Sequence, residues 1–248
     1  MATIDSNIDL SILKGMPKLD RKATLIIRPL APLSMVSELP GSFYKTLKYP
    51  SKKMICGLFE NMLGWHFDAK MREVIFKDMA KARKTNKVEI KKEQYIEGST
   101  YLPLLMDYFD ISGEPRLKEF HCMFNYSDYW SRGYRRSDSS KHLNGCRNID
   151  IHVLAERHQL FSSWNDLSRK EADAKKDGWF KQNMDRIPLF YTSPKNREYV
   201  YVDALVEMPL QLDANLANLL LFFVETSNIC YLGHSEGWVN VELKFDEL

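Results

Sequence analysis

The sequence lacks the long apolar runs that membrane proteins and secreted precursors carry. Its 248 residues contain no stretch of about 18 apolar residues, the length that a membrane-spanning helix needs. The N-terminal segment MATIDSNIDLSILKG has neither a basic beginning nor a long apolar centre, so it does not resemble a secretory signal. We therefore expect a cytoplasmic protein that makes no contact with a membrane.

Cysteine is scarce and widely spaced. The four cysteines are Cys56, Cys122, Cys146 and Cys230, and neither a C-x-x-C pair nor an H-E-x-x-H helix occurs. This pattern disfavours a structural zinc site or a disulfide framework. We expect no metal and no cofactor. We also expect Cys56 and Cys230 to be small buried hydrophobic side chains in a reducing compartment.

A strong excess of charge of one sign is also missing. The formal net charge is +2, which is too small to indicate a nucleic-acid-binding protein by overall charge. An RNA site would therefore have to rest on local clustering of basic residues. The composition, with 44% hydrophobic and 12% aromatic residues, excludes general disorder, and a chain of 248 residues can bury a sizeable core.

The sequence does contain a mixture of short apolar strands and amphipathic helices. The predicted strands cover residues 23–28, 120–126, 149–154, 187–192, 197–208, a short stretch ending at 232, and 239–245. The predicted helices cover residues 52–63, 69–84, 166–176 and 214–224. Strands that follow each other in sequence favour antiparallel pairing, so the pattern predicts an α+β fold, with a hairpin turn at 193–196. Residues 1–22 are polar and predict a loosely held leader before one domain over 23–248.

Residues 23–67 carry the clearest local signals. A β-branched run predicts a buried strand, and Ser51 is a favourable N-cap for the helix that comes after the loop. The apolar stripe of that helix ends before Gly64, which lies at the C′ position where glycine is favoured.

Basic residues gather at the beginning of this helix, where the helix dipole disfavours them. Lys52 and Lys53 lie in its first turn, and Lys45 and Lys48 lie just upstream. Backbone N–H groups, the dipole and several ammonium groups would then converge on one place, which predicts an anion site. The alternative interpretation is a solvated, lysine-rich loop.

The same segment contains an ordered series of residues: Arg28, Pro32, Tyr49-Pro50-Ser51-Lys52, Gly57-Leu58 and Leu63-Gly64. In this order and spacing they resemble the N-terminal signature of the CRISPR-associated RAMP proteins of family five, the Cascade subunit that caps the 5′ end of the guide RNA. The resemblance is specific over the first quarter of the chain and looser beyond it. Residues 28–42 resemble a type I-B member in particular.

The resemblance implies a ferredoxin-like, RRM-type core with an inserted hairpin or loop region, called the thumb, and a further β-rich part at the C-terminus. It implies a non-catalytic subunit of a type I Cascade complex that binds the 5′ handle of the crRNA in antiviral defence. The expected partners are the crRNA, the backbone RAMP subunit and the large subunit that reads the PAM, with target DNA contacted indirectly.

A basic and aromatic region at residues 98–148 is the least regular part of the sequence. From residue 127 onward, basic residues lie between tyrosines and a tryptophan, a combination that holds phosphates and stacks on unpaired bases. These residues are Tyr129, Trp130, Arg132, Tyr134, Arg135, Arg136, Lys141 and Arg147. We expect RNA or partner contact here, and the region is the candidate thumb. A merely solvated loop is the alternative.

The sequence from Gly233 to Gly237 matches G-x-S-x-G, the nucleophile elbow of α/β-hydrolases. That chemistry requires a helix after the serine, whereas Gly237 leads into a strand with period-two alternation, so we expect no hydrolase. The resemblance implies instead a glycine-rich loop that holds the RNA backbone. There His234 and Ser235 would donate hydrogen bonds and Trp238 would offer a stacking surface. A plain hairpin turn is the alternative.

An endoribonuclease of the same fold is the alternative function. Some relatives cut precursor RNA without a metal, and Tyr44, Lys45, Lys118 and His121 are residue types that supply a general base and a cation. Lys118 and His121 are separated, where the cutting relatives have an adjacent Lys-His pair, so we expect no catalytic residues. A third class of function is a single-stranded RNA-binding module that acts alone.

The predicted RNA-binding residues come from the N-terminal segment, the basic and aromatic region, and the late glycine-containing loop. They are Arg28, Tyr44, Lys45, Lys48, Ser51, Lys52, Lys53, Trp130, Arg132, Tyr134, Arg135, Arg136, Gly233, His234, Ser235 and Trp238.

Overall fold

The computed structural model of the protein describes residues 8–36, 43–96, 101–135, 148–226, 229–234 and 236–246, with the backbone alone at 130–132, 134, 135, 193–195 and 226. The chain divides into two compact units. The first unit combines Met1–Ser127 with Glu198–Leu248, and the second unit is Asp128–Arg197. The second unit is therefore an insertion into the chain of the first.

The described residues form one seven-stranded sheet. Its strands are β1 (Leu19–Pro29), β2 (Phe43–Tyr44), β3 (Phe109–Ile111), β4 (Arg116–Arg135), β5 (Phe190–Asp213), β6 (Ile229–Tyr231) and β7 (Trp238–Phe245). The strands β5, β1, β7 and β6 are neighbours in that order, and β2, β3 and β4 pair with β5. β1 is antiparallel to both its neighbours, with Leu25 opposite Met208 of β5 and Leu243 of β7.

Six helices occur in the described residues. They are α1 (Lys52–Met62), α2 (Ala69–Thr85), α3 (Lys92–Ile96), α4 (Ile151–Ser162), α5 (Arg169–Gln182) and α6 (Ala214–Thr226). The ends of α1 confirm the sequence prediction. The side chain of Ser51 accepts a hydrogen bond from the backbone N–H of Met54, and Gly64 has a φ of 71°, which glycine adopts without steric cost.

The connectivity of the first unit is consistent with the core that the resemblance implies. In chain order β1, α1, β4, β5, α6 and β7 form a β-α-β-β-α-β series, and in the sheet the strand order is β4-β5-β1-β7. The mixed α+β class is thereby confirmed. The further β-rich part expected at the C-terminus is not separate, because β7 joins the same sheet at β1 and β6 pairs with β7.

The main core lies between one face of this sheet and the apolar sides of the helices. Leu25 and Ile27 of β1 are buried in it, as are Phe59 of α1 and Leu216 of α6. The rings of Phe59 and Phe109 meet edge to face, with centroids 5.0 Å apart. Burial of each such side chain contributes about 1.5–3 kcal/mol. This packing fixes α1 against the sheet.

The segment expected to be a loosely held leader packs against the core from Ile8 onward. Ser11–Lys14 form a 3-10 helix in which Ile12 and Leu13 are buried. The hydroxyl of Tyr108 donates to the carbonyl oxygens of Ile12 and Gly15 at 3.0 and 3.2 Å. In the sequence Ile8, Leu10 and Ile12 alternate with polar residues, and this spacing did not reveal the 3-10 helix or its attachment to the core.

The second unit contains α4, α5 and the short 3-10 helix Met184–Arg186. Its own core includes Ile149, Val153, Trp179 and Tyr191. The predicted strand over 149–154 is wrong, since α4 begins at Ile151. Asp150 caps it by accepting from the backbone N–H of His152 at 2.7 Å. A six-residue segment with four apolar residues does not distinguish a strand from the first turns of a helix.

The predicted hairpin with a turn at 193–196 is also wrong, because β5 runs without interruption from Phe190 to Asp213. The sequence Ser-Pro-Lys-Asn favours a turn but does not force one. Proline removes one ladder hydrogen bond, which a strand tolerates where that position needs no donor. The actual partner of β5 on this side is β4.

The boundaries of the insertion differ from those expected for the basic and aromatic region. Residues 101–127 belong to the first unit, and Leu104, Leu105 and Phe109 are buried in its core. The second unit begins at Asp128 and extends to Arg197. The sequence from 98 onward looked irregular because its core residues lie mostly outside regular helices and strands.

Candidate functional site

A groove with a volume of about 750 Å³ lies along α1 in the first unit. Ser51 and Lys53 line it from the beginning of α1, and Gly233 and His234 line it from the loop after β6. These four residues belong to two segments that are far apart in the sequence. The groove therefore brings together two of the predicted RNA-binding segments at one place.

The two lysines of the first turn of α1 have different surroundings. The ammonium group of Lys52 lies 3.2 Å from Oδ1 of Asp110 and 5.6 Å from the ring centroid of Phe109, so it is directed toward β3. Lys53 lines the groove. Consecutive residues of a helix point about 100° apart. Lys53 therefore lines the groove, whereas Lys52 does not.

β2 and the segment after it carry three other predicted residues. Lys45 and Lys48 are exposed, and Tyr44 is half-buried. Thr46 anchors the segment: its backbone N–H donates to Glu198 of β5 at 2.9 Å, and its hydroxyl accepts from the backbone N–H of Met35 at 2.8 Å. The two lysines are therefore held on an ordered segment with their side chains in solvent.

Arg28 and Trp238 lie at the end of β1 and the start of β7. Arg28 makes an ion pair with Glu119 of β4 at 3.2 Å, and both side chains are more than half exposed. Trp238 is 49% exposed, and its ring meets that of Tyr231 edge to face at 6.4 Å. Neither residue lines the groove, but both offer exposed surface on the same unit.

The loop after β6 requires both of its glycines. Gly233 has a φ of 78°, and a Cβ there would lie 2.8 Å from the carbonyl oxygen of Ser34. A Cβ on Gly237 would lie 2.5 Å from the carbonyl oxygen of Leu232. The loop is thus packed tightly against residues 33–35, with His234 Nδ1 accepting from the backbone N–H of Glu236 at 3.2 Å.

This loop leads into a strand. β7 begins at Trp238, so the strand–turn–helix that a nucleophile elbow needs is absent from the described part of residues 233–245. Ser235 lies outside the described residues. The expected mismatch between the G-x-S-x-G pattern and its surroundings is confirmed.

A buried polar cluster that the sequence did not reveal forms the floor of the groove. Glu60 of α1 is 1% exposed, and its carboxylate accepts from Nη1 of Arg72 and from the hydroxyl of Tyr101 at 2.7 Å. It also accepts from the backbone N–H of Leu104 at 2.6 Å and from Sγ of Cys56 at 3.3 Å. Burial raises the pKa of Tyr101 and of the Cys56 thiol, which keeps both groups neutral.

Arg72 extends this cluster to the rim. Its guanidinium donates to the carbonyl oxygens of Trp65 at 3.1 Å, Phe67 at 3.3 Å and Leu102 at 3.2 Å, and it stacks 4.8 Å from the ring centroid of Tyr101. One arginine therefore fixes the connection from α1 to α2 and the segment before β3. The sequence signal would have been a carboxylate and an arginine on otherwise apolar helix faces.

Aromatic side chains missed by the sequence analysis form a ladder on β4 and β5. Phe124 stacks on Tyr201 at 5.2 Å between centroids, and Tyr126 stacks on Tyr199 at 5.5 Å. Tyr199 also meets the ring of His234 at 6.0 Å, which connects the ladder to the groove loop. The sequence signal for this ladder was the presence of aromatic residues at alternate positions of two strands.

The basic and aromatic region is in part a strand. The backbone of Trp130, Arg132, Tyr134 and Arg135 belongs to β4, where a loop was expected. The structure describes no side chain at these four positions, and Arg136 lies outside the described residues. Their contact with RNA stays a prediction.

Two further features concern the described part of the chain only. No group of three or more His, Cys, Asp or Glu side chains is arranged there to hold a metal ion. None of the helices in these ranges combines the length and the apolar character that a membrane span demands.

Comparison with known proteins identifies the family. The family model of CRISPR-associated protein Cas5p matches residues 8–243 of the chain. No curated protein and no solved structure matches the chain significantly. Because the family model covers nearly the whole chain, the protein belongs to the Cas5 family of CRISPR-associated proteins, as the residues from Arg28 to Gly64 indicated, and this membership implies a role in CRISPR-based defence.

Proposed function

We propose that the protein is a non-catalytic subunit of a type I Cascade complex that binds the 5′ handle of the crRNA. The observation that supports this most strongly is the groove, where Ser51 and Lys53 of α1 meet Gly233 and His234 of the loop after β6. The order of residues 28–42 supports assignment to type I-B.

Phosphate contact is the first part of the proposed RNA site. The beginning of α1 presents a positive dipole end, Lys53 lines the groove beside it, and Lys45 and Lys48 are exposed upstream. The loop after β6 brings a second chain segment to the same place, where Gly233 and His234 line the groove. Contacts of this kind position an RNA strand without reading its sequence.

Base stacking is the second part. Phe124 is 53% exposed and Tyr126 and Tyr201 are each 38% exposed, so the ladder offers aromatic faces to solvent beside the loop. Aromatic faces of this kind stack on the unpaired bases of single-stranded RNA. The chain therefore combines phosphate-holding and base-stacking groups on its first unit.

A non-catalytic role is supported by the surroundings of the residues that an endoribonuclease would use. Nζ of Lys118 lies 2.7 Å from Oε1 of Glu207, so its charge is already balanced by a carboxylate. His121 is exposed on β4, and its imidazole makes no hydrogen bond to the described residues. A metal-free cutting site needs a cation at the phosphate and an oriented base.

The proposed partners are the crRNA, the backbone RAMP subunit and the large PAM-reading subunit, with target DNA contacted through them. The second unit, Asp128–Arg197, is the candidate thumb because it takes in the end of β4, the beginning of β5 and the chain between them. An inserted unit with its own core is suited to reach a neighbouring subunit.

The test is copurification. The full chain is coexpressed with its neighbouring genes and a repeat array, and the RNA bound to the purified complex is sequenced. We expect crRNAs with one uniform 5′ end, and repeat RNA incubated with the protein alone should remain uncut. Cleavage at the handle boundary that His121→Ala abolishes would favour the endoribonuclease. A stable, RNA-free monomer without partners would contradict the assignment to a complex.

A further inference from the structure

The groove along α1 is electrically balanced, unlike the surface at the beginning of the helix. Its charged lining residues are Lys53, Arg72, Glu60 and Asp68, two of each sign. Arg72 is committed to Glu60 and to three carbonyl oxygens. A phosphate inside the groove would therefore meet little net positive charge, so the groove suits an uncharged group.

The remaining lining is aromatic and apolar, with a few polar groups that are not engaged. Met54, Leu58 and Trp65 contribute apolar surface. The amide of Asn61 and the imidazole of His66 make no hydrogen bond to any described residue, and both line the groove. A mostly apolar cleft with a small number of available donors and acceptors is the usual form of a small-molecule site.

We propose that this groove holds one unstacked base of the bound RNA and that Asn61 hydrogen-bonds the edge of that base. The inference rests on the function proposed above and specifies what that site recognises. A cleft of about 750 Å³ has room for a nucleotide, since ligand sites are commonly about 300–1,000 Å³. A side-chain amide presents one acceptor and two donors, which match the edge of a nucleobase.

The neighbouring groups support this arrangement. Lys53 lies eight residues before Asn61 on α1, which corresponds to about 12 Å along the helix axis. A nucleotide whose base reaches Asn61 can thus keep its backbone near the beginning of α1 and the loop at Gly233. His66 and Tyr231 line the groove with rings that can contact the face of a base.

The test uses the full-length protein and handle RNAs in which one base at a time is removed while the sugar and phosphate remain. One abasic position should weaken binding about 5- to 150-fold, the range for loss of one stacked base. The Asn61→Leu variant should lose preference for the base at that position, and Asn61→Asp should shift preference toward bases that present an amino donor. Asn218→Leu, at an exposed position of α6, is the matched control and should behave as wild type.

The outcomes separate this inference from the proposed function. If intact handle RNA binds no more tightly than scrambled RNA, the proposed function fails. If handle RNA is preferred but no single abasic position weakens binding, the base pocket is wrong while the proposed function stands. Retention of full base preference by both Asn61 variants, each with wild-type thermal stability, also overturns the inference.

Discussion

Two polar clusters made of the same kinds of group lie near opposite ends of α2, and they are built differently. Each joins an arginine of α2 to a carboxylate and a tyrosine. The groove cluster is Glu60, Arg72 and Tyr101, and the distal cluster is Arg83, Asp107 and Tyr95. The groove cluster maintains the shape of the groove, whereas the distal cluster fixes the end of α2.

In the groove cluster the carboxylate is fully enclosed and both of its oxygens accept hydrogen bonds. Glu60 receives four donors, and Arg72 also serves three carbonyl oxygens. A buried ion pair is tolerated when its remaining donors and acceptors are satisfied in this way. The cluster therefore binds three chain segments into one rigid floor beneath the groove.

In the distal cluster the arginine is buried but the carboxylate reaches solvent. The side chain of Arg83 is 3% exposed and that of Asp107 is 33% exposed. Nε and Nη2 of Arg83 make no hydrogen bond to the described residues, and the guanidinium lies 5.4 Å from the ring centroid of Tyr108. This cluster secures the end of α2, and because water reaches Asp107, its carboxylate should be easier to replace than that of Glu60.

The largest expected effect is that of Glu60→Gln. The substitution leaves Arg72 buried without its countercharge, and we expect a loss of about 3–5 kcal/mol in the free energy of unfolding. Urea denaturation followed by circular dichroism measures it. A loss below that of the corresponding substitution in the distal cluster would reverse the comparison.

The Asp107→Asn substitution should cost less, about 1–3 kcal/mol, because water can reach the position and compensate part of the lost interaction. The same denaturation experiment applies. RNA binding should be unchanged, since Asp107 does not line the groove.

A smaller effect is expected at the rim of the groove. In Gly233→Ala the left-handed backbone and the contact with the Ser34 carbonyl should cost about 1–2 kcal/mol of stability. The matched control is Gly178→Ala in α5, where a Cβ meets nothing within 4 Å. Because alanine favours the helix more than glycine does, this substitution should raise the free energy of unfolding by about 0.5–1 kcal/mol. Equal thermal shifts in the two variants would contradict the packing of the loop.

At neutral pH the smallest effect is that of the buried thiols, which destabilise the fold only at alkaline pH. Burial raises the pKa of Cys230 to about 12, and burial together with Glu60 raises that of Cys56. Above the ordinary thiol pKa the unfolded chain loses a proton that the folded chain keeps, so stability falls as pH rises from about 9 toward 12.

Each thiol should add a slope of up to about 1.4 kcal/mol per pH unit within that window. Cys230→Ala should reduce the slope, and the free energy of unfolding measured between about pH 9 and about pH 11 tests it. An unchanged pH profile in the variant would show that the thiol ionises equally in both states.

Local signals in the sequence predicted the parts of the fold that short segments determine. Ser51 and Gly64 marked the ends of α1, and the alternation after Gly237 marked β7. The turn at 193–196 failed because long-range pairing extended β5 through turn-forming residues. Local propensity decides where tertiary pairing does not override it.

The sequence predicted some residues of the candidate site but not how they come together. Ser51, Lys53 and the Gly233 loop were recognisable as motifs, but their meeting at one groove depends on the sheet. The contacts of Glu60 with Arg72 and Leu104 join three separate segments, so no spacing in the sequence encodes them. The ion pair of Lys52 with Asp110 likewise distinguishes two adjacent lysines that the sequence treats alike.

That difference between adjacent lysines gives a direct test of the proposed RNA site. Affinity for handle RNA is measured across a salt series for wild type, Lys53→Ala and Lys52→Ala. Loss of one phosphate contact should flatten the slope of log affinity against log salt by about 0.7 in Lys53→Ala. Lys52→Ala should keep the wild-type slope. If both variants keep it, or if only Lys52→Ala changes it, Lys53 does not contact the RNA backbone at the beginning of α1.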